Sequence, residues 1–401
     1  MTAIVLYFQD FCFSNLFSDL RTKISTLHLE KLILTNFKNY RSQTLDFSPT
    51  INLLTGLNGM GKTNILDAIY YICMCKSHFA TNDGFLVLRE EDFFRLDAHF
   101  QGITSANVVA KIVPRKRKEI SYNDVIYEKL SEHIGKIPVV MIAPDDTSLA
   151  TEGSEERRRL LDNSLSQLDQ VYLNNLMMYN KVLEQRNALL KQFAQNHTFN
   201  ESLLEVYDNQ LATSVETIFS LRKIFVQHLV PIFQEYYKII SSDREQPDCQ
   251  YVSQLFEGDF LTLLKKSREK DRILARTNVG IHKDDLSFSF DGNVLKRFAS
   301  QGQLKSFVLA LKLAQYEVLR QRKGVQPILL LDDVFDRLDA NRVSQLLELL
   351  SKKEFGQVFI SDTQSERMAS IVKTHFEDFT HYEVENGSCV LVKNEKLKVK
   401  N

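Results

Sequence analysis

The chain has 401 residues, 44% of them hydrophobic, enough for one large domain or two ordinary ones with real cores. Its 50 basic and 51 acidic residues leave a formal charge of −1, which excludes a global cationic field, so any nucleic-acid contact must be a local patch. Five cysteines (Cys12, Cys73, Cys75, Cys249 and Cys389) form an odd set without zinc-type spacing, the usage of a reducing cytosol, and no run approaches the ~18 apolar residues that span a bilayer.

Residues 1–26 fit no later pattern. The aromatic start, Met1 to about Phe17, is broken by Asp10 and lacks a basic opening, so it is not read as a signal peptide. Near-alternation from Leu27 to Leu34 predicts a strand, and Asn36-Phe37-Lys38-Asn39-Tyr40 turns the chain into a second strand around Thr44–Phe47. Ile51-Asn52-Leu53-Leu54 reads as a short buried strand, and Ile65, Ile69 and Ile72 recur behind it at helical spacing. Between them stands Gly56-Leu57-Asn58-Gly59-Met60-Gly61-Lys62-Thr63, a complete G-x-x-x-x-G-K-[ST] phosphate loop in the strand-to-helix context it requires. Glycines let successive backbone N–H groups turn toward an anion, and the helix N-terminus adds partial positive charge. Lys62 is expected to reach the β- and γ-phosphates of a bound nucleotide, and Thr63 to hold Mg²⁺ through its hydroxyl.

Phe93–Phe100 and Val108–Val113 read as strands. Arg115, Lys116, Arg117 and Lys118 follow at a hairpin end, where a solvated turn competes with a DNA contact. Ile137–Ile142 is another apolar run. Ser154 is expected to cap a helix carrying Glu155 and Glu156 in its first turn, with a stripe from Leu161 to Leu190. Unbroken to about Phe193, that helix is roughly 60 Å long at 1.5 Å per residue. After Gln195–Thr198 a second stripe runs from Leu204 to Tyr236, with Pro231 expected to kink or interrupt it. The pair predicts an antiparallel helical hairpin, followed by a loop at Asp243–Pro247 and a helix from Val252 to Leu264.

Leu286–Phe290 alternates as a strand before an Asp291-Gly292-Asn293 turn. Ser300-Gln301-Gly302-Gln303 then opens a helix with Phe307, Leu311, Ala314 and Val318 on one face. The apolar strand Ile328–Leu331 ends in Asp332 and Asp333. Asp332 is expected beside the Mg²⁺ as a Walker B carboxylate, with Asp333 placed to orient or activate water; with Lys62 these are the candidate catalytic residues.

Phosphate loop, long helical insertion, Ser300–Gln303, Leu331-Asp332-Asp333 and Leu338-Asp339 together resemble the ABC-type ATPase heads of the SMC-like class. Within that class the chain is similar to the RecF family of bacterial DNA replication and repair proteins. That likeness rests on Asn36–Tyr40, Gly61-Lys62-Thr63-Asn64, Gly153–Arg159, Ser166–Asp169, Gln185–Leu190 and His282–Asp285, and it extends from about Leu27 to Lys393. It implies an α/β fold: a P-loop ATPase head of mixed sheet and helices, with an inserted helical lobe. The divisions expected are an extension at 1–26, ATPase halves at 27–145 and 271–393, a helical lobe at 146–270 and a tail at 394–401. It further implies a homodimer formed on ATP, in which Ser300, Gln301, Gly302 and Gln303 of one subunit close on the nucleotide of the other. DNA at single- to double-strand junctions or gaps, RecR and RecO, and indirectly RecA, are the implied partners, in the cytoplasm at the nucleoid.

Three departures from the family pattern stand out. Residues 1–26 precede the usual family start, as a mis-set initiation site or a lineage-specific addition. Ser361-Asp362-Thr363 holds no His where transporter-type heads carry a switch residue, so slow hydrolysis is expected. No Gln stands between Lys76 and Asp83 for a metal-sensing loop, leaving Asn82 or Asp83 as substitutes. For DNA, Arg115–Lys118 come first and Arg157, Arg158 and Arg159 second, the latter competing with a salt-bridged helix face. His282–Asp285 suits a structural strand entry as well as a functional role. Other readings weighed are a transporter ATPase subunit, for which the helical insertion is too long, an SMC-like chromosome linker, for which the helices are too short, and a non-hydrolysing binding module.

Overall fold

A computed structural model of the chain describes residues 26–102, 105–241, 245–335, 340–352 and 355–395. The extension before Thr26, the pair Leu338-Asp339, and the tail beyond Glu395 lie outside the described residues. An antiparallel sheet opens the fold, with strands β1 (Leu27–Phe37), β2 (Tyr40–Asp46), β4 (Phe94–Gly102), β5 (Ala106–Ile112), β6 (Glu119–Tyr122) and β7 (Val125–Ile126) in the order β2-β1-β4-β5-β6-β7. A second sheet collects β3 (Ile51–Thr55), β8 (Val139–Ile142), β12 (Ile328–Leu331), β13 (Val358–Asp362), β14 (Phe379–Glu385) and β15 (Ser388–Glu395) in the order β15-β14-β3-β13-β12-β8. It is parallel except at its β15 edge.

The short apolar runs make sense in that position. A parallel strand covered on both faces needs apolar residues at every place, not at alternate ones. Leu329 and Leu331 enter one core, shared with the helices, while Ile328 and Leu330 enter the other, beneath the antiparallel sheet. Helix α1 (Lys62–Met74) fills the second core and is buried along nearly its whole length.

The helical side comprises α2 (Ser154–Leu168), α3 (Gln170–Asn196), α4 (Glu201–Ser241) and α5 (Phe260–Leu274). Helices α6 (Gln301–Lys323), α7 (Ala340–Lys352) and α8 (Ser365–His375) complete it. The expected continuous helix from Ser154 is two helices. Asp169 leaves the helical region at φ −139°, and its carboxylate accepts from Val171 N at 2.6 Å and Tyr172 N at 3.4 Å. An Asx cap inside an apolar stripe restarts the helix, and periodicity cannot show it because both pieces face the same core. Gly153, not Ser154, holds the cap position, and the Ser154 hydroxyl accepts from Arg158 instead. Pro231 does not interrupt α4, which runs through it. The helix expected from Val252 is also displaced: Pro247–Val252 is strand β9, and α5 starts at Phe260 behind the Asp259 cap. Strand β9 pairs with β10 (Asp285–Phe290), which pairs with β11 (Asn293–Val294).

Three buried guanidinium groups hold the helical lobe. Arg186 bonds Asp208 at 2.7 Å, Asp271 at 2.8 Å and Thr277 at 2.8 Å, while Arg268 reaches the second oxygen of Asp208 at 2.7 Å. Arg222 bonds Tyr172, Asp162, the Ile281 carbonyl and Asp284, all at 2.7–3.0 Å. Tyr251 adds its hydroxyl to Asp284 at 2.5 Å, and Arg157 clamps Asp285 at 2.6 and 3.0 Å. His282 is held between the Tyr179 hydroxyl at 2.7 Å and the Thr277 carbonyl at 3.1 Å. His282, Asp284 and Asp285 are therefore structural, tying the entry of β10 to helices α2, α3 and α4.

Two glutamines close gaps that strands leave open. Gln167 pairs with the backbone of Val139 on edge strand β8, accepting at 2.8 Å and donating at 3.1 Å. Gln357 does the same for Leu29, at 2.7 and 2.8 Å, where a register irregularity interrupts β1, and donates to Ser48 O at 2.7 Å. Gln357→Leu leaves the buried N–H and C=O of Leu29 unpaired, at ~1–3 kcal/mol each, while Ser48 O keeps its bond from Asn52. We expect about 2 kcal/mol or more of lost stability in urea unfolding; a midpoint equal to that of the parent would show that the Gln357 bonds add nothing to the joint between the sheets.

Candidate functional site

The phosphate loop leaves β3 and enters α1 with no side-chain cap and no acid in the first helical turn, so no side chain of that turn competes with an anion for its N–H groups. Two of its glycines are required by close approaches. A Cβ at Gly56, φ 148°, would stand 2.2 Å from the Val384 carbonyl, and one at Gly61, φ 124°, would stand 2.7 Å from both Asn39 and Tyr40 side chains. Lys62 is buried, its ammonium donating to the carbonyls of Gly56 at 2.8 Å and Leu57 at 3.1 Å, across the mouth of the loop.

Beside the loop stand both carboxylates expected on β12. Thr63 donates to Asp332, with its Oγ1 2.9 and 3.0 Å from the two carboxylate oxygens. Ser361, at the end of β13, places its hydroxyl 2.7 Å from Asp332 and 3.3 Å from Asp333, and accepts from Asp333 N at 2.8 Å. One hydroxyl proton serves one carboxylate at a time, and the shorter contact favours Asp332. Burial pushes the Asp332 carboxyl above its ordinary range, against the opposing pull of the Ser361 and Thr63 hydroxyls. Asp333 is in the left-handed region at φ 45°, turning the chain sharply out of the strand. A hydroxyl and a buried carboxylate are hard oxygen donors suited to Mg²⁺, which ordinarily completes its shell with phosphate and water oxygens. No cluster of three or more His, Cys, Asp or Glu residues able to hold a metal exists among the described residues, so Mg²⁺ would depend on those other oxygens.

The loop is braced from outside by residues that sequence reasoning did not assign to the site. Asn39 donates to Met60 O at 2.9 Å and accepts from Asn64 at 2.7 Å, and Tyr40 donates to Gly61 O at 3.2 Å. From the β14–β15 turn Gly387 N also donates to Met60 O, at 3.1 Å. Their string, Asn36–Tyr40, carried the family resemblance, and that was the available signal. Lys38, in the same turn, pairs at 2.7 Å with Asp67 of α1, whose carboxylate also takes Ser77 Oγ at 2.7 Å and His78 N at 2.8 Å. Asn82 and Asp83, the substitutes for a metal-sensing Gln, have other partners: Asn82 caps a short turn, and Asp83 pairs with Lys118 and Tyr71. On the strand next to β3, buried His381 approaches Thr55 Oγ1 at 2.8 Å.

Ser300 caps α6 in a reciprocal box: its hydroxyl accepts from Gln303 N at 3.3 Å, and Gln303 accepts from Ser300 N at 2.6 Å and donates to Glu245 at 2.8 Å. Gln301 is exposed, and a Cβ at Gly302 would meet the Arg342 guanidinium at 2.7 Å. No hydrogen bond among the described residues joins Ser300–Gln303 to Gly56–Thr63. Farther along α6, buried Lys312 pairs with Asp146 at 2.8 Å and donates to Met141 O at 3.0 Å, linking that helix to β8.

Of the basic residues, Arg115 and Lys116 are exposed, whereas Arg117 donates to Glu128 O at 2.6 Å and Lys118 to Cys75 O at 2.9 Å. Arg157 and Arg158 are engaged inside the protein, on Asp285 and on the Asp284 carbonyl, and Arg159 pairs with Glu155 and Glu156.

The sequence model described as the RecF/RecN/SMC N terminal domain matches residues 28–383. The DNA replication and repair protein RecF of Flavobacterium johnsoniae is 46% identical over 354 residues, spanning 88% of this chain and 99% of that protein. Its counterpart from Cytophaga hutchinsonii is 42% identical over 361 residues, 90% of this chain and 96% of that one. Among solved structures, the recombination mediator protein RecF-ATPrS in the RecFOR pathway superposes with a TM-score of 0.83 at 28% identity, over 92% of this chain and 100% of that chain. An Smc head domain from Pyrococcus furiosus, TM-score 0.52 at 17% identity over 91% of this chain and 96% of that one, shares the fold.

Asn39→Ala removes two braces of the loop without touching the loop itself. We expect ATP affinity in a fluorescent-analogue titration to fall about tenfold, roughly the 1.4 kcal/mol of one to two such bonds. Unchanged affinity would show that the loop holds its shape unaided.

Proposed function

The chain belongs to the RecF family of SMC-like ATPase heads, and on that premise we propose that it is an ATP-gated DNA-binding protein of replication and repair. As a dimer closed on ATP, it engages gaps or junctions between single and double strands, and hydrolysis releases it. The observation that carries the reading is the split site. Loop, Thr63, Asp332 and Ser361 assemble at one sheet edge. The Ser300–Gln303 helix start is exposed at its tip and has no bond to the loop of its own chain among the described residues. A hydroxyl and backbone donors at a helix start suit a γ-phosphate supplied by a second copy.

In that arrangement the loop N–H groups hold the phosphates and Lys62 swings from the Gly56 and Leu57 carbonyls onto the β- and γ-oxygens. Thr63 and Asp332 would hold Mg²⁺ with their hydroxyl and carboxylate oxygens, and the ion would supply positive charge against the transferred phosphoryl group. Asp333 orients the attacking water. Ser361 gives its hydroxyl proton to Asp332 in preference to Asp333 and stands in the segment where transporter-type heads carry a histidine, which supports slow turnover. Binding energy from ATP trapped between subunits makes nucleotide the glue of the dimer. RecR and RecO, and through them RecA, are the proposed partners, in the cytoplasm at the nucleoid.

Sedimentation with a non-hydrolysable ATP analogue tests the gluing mechanism. Lys62→Met should remain monomeric with weakened nucleotide binding; a dimer that forms without nucleotide would sink it. Ser300→Arg should bind nucleotide as a monomer yet fail to dimerise, and loss of binding outright would place the serine on its own chain's nucleotide. Asp333→Asn should retain the dimer while steady-state turnover falls about a hundredfold, the usual scale of a lost general base. Parent-like turnover would remove Asp333 from the water-activating role.

A further inference from the structure

Of the string His282-Lys283-Asp284-Asp285, three members are locked into the interior, and the remaining one, Lys283, is exposed. The bonds that lock its neighbours also fix what surrounds it. His282 holds the Thr277 carbonyl at 3.1 Å, which sets exposed Arg276 beside Lys283. Asp271 accepts from Asn278 N at 3.0 Å, and its own carbonyl accepts from Arg276 N at 3.2 Å, which brings exposed Lys270 against the same turn. Arg158 donates to the Asp284 carbonyl at 2.8 Å from the other side, and its partners there are neutral oxygens, Asp284 O and Ser154 Oγ. Among the described residues Lys270, Arg276 and Lys283 form no ion pair. Partial burial holds the Lys283 ammonium below its ordinary lysine range, with repulsion from Arg276, Arg158 and Lys270 adding to it and the Asp271 carboxylate opposing it.

Like charges gathered on a rigid frame raise the energy of the folded protein unless an anion relieves them. In a chain of net charge −1 the concentration is local. We propose that Lys270, Arg276 and Lys283 are a contact surface for the phosphodiester backbone of nucleic acid, carried on the helical lobe. Three exposed, flexible or forked cations, Lys270 on α5 and Arg276 and Lys283 in the segment after it, match a row of separate phosphates better than a single small anion, which needs a concave cradle. The surface reads no sequence; it positions the duplex or strand against the lobe. It rests on the DNA-binding reading above and differs from Arg115–Lys118 and Arg157–Arg159.

The test is fluorescence anisotropy of a labelled gapped duplex with full-length protein and a non-hydrolysable ATP analogue, over a salt series. Arg276→Gln/Lys283→Gln should lower the slope of log affinity against log salt by about two, near 0.9 for each phosphate that is no longer neutralised. Binding of the nucleotide analogue should be unchanged. Lys270→Gln, on the open face of α5, should lower the slope by about one, and it decides the matter if the double variant fails to fold. Variants that keep the parent slope overturn the surface while leaving DNA binding by the protein standing. Competition by poly-glutamate as strong as by duplex also overturns it, in favour of an acidic protein partner. If the parent itself shows no salt-dependent binding, the DNA-binding reading falls, and this surface with it.

Discussion

Parallel pairing of β3, β13 and β12 is the constraint on which the rest of the molecule depends. Leu53, Ile360 and Leu331 lie in register, so the three strands end together at one edge of the sheet. The middle strand joins both halves of the site: Asp362 O accepts from Gly56 N at 3.3 Å, and Ser361 reaches Asp332 at 2.7 Å. Thr63 and Asp332, 269 positions apart in the chain, thereby meet within hydrogen-bond distance. Buried carboxylates are costly unless donors surround them, and here Asp332 takes the Thr63 hydroxyl from the start of α1 and the Ser361 hydroxyl from the end of β13. The phosphate loop is thus shaped by its glycines, yet placed by its neighbours.

Outside the sheet, order comes from a different source. Arg186 and Arg222 are essentially inaccessible to solvent, and such charges stabilise little against apolar replacements of the same shape. Removing one partner, by contrast, strands the other in a low dielectric at about 3–5 kcal/mol. The pairs therefore act chiefly on geometry: they fix α3 against α4 and α5, and fix the turn before β10 against both. A helical lobe built this way presents its exposed side chains on a stiff support. It is also continuous in core packing with one face of the central sheet, so movement at the nucleotide edge and movement of the lobe share contacts through α6 and Lys312.

Much of this was legible beforehand because it is local. The phosphate loop, the apolar strands on either side of it, and the carboxylates at the end of Ile328–Leu331 are each set by a few consecutive residues. The errors have equally specific causes. Asp169 breaks a helix without breaking the apolar stripe, because the two pieces continue along one core. Strand β9 starts at Pro247 and is read poorly in isolation, since its partner β10 lies beyond an entire helix. The four basic residues at Arg115–Lys118 look alike in sequence, but Lys118 finds Asp83 and the Cys75 carbonyl only after α1 and β6 have packed.

By itself the sequence determined which groups could carry phosphate chemistry, since loop spacing, hydroxyl and carboxylates are properties of short segments. Tertiary structure alone decided what holds them. Asn39 and Tyr40 brace the loop, Gln357 seals an irregular strand, and Ser361 sits between two carboxylates. It also decided that Arg157 and Arg158 turn inward while Lys283 stays out. A charged side chain has no intrinsic inside or outside; its position follows from which carboxylates and carbonyls the packed chain brings within reach, and those come from residues far away in sequence.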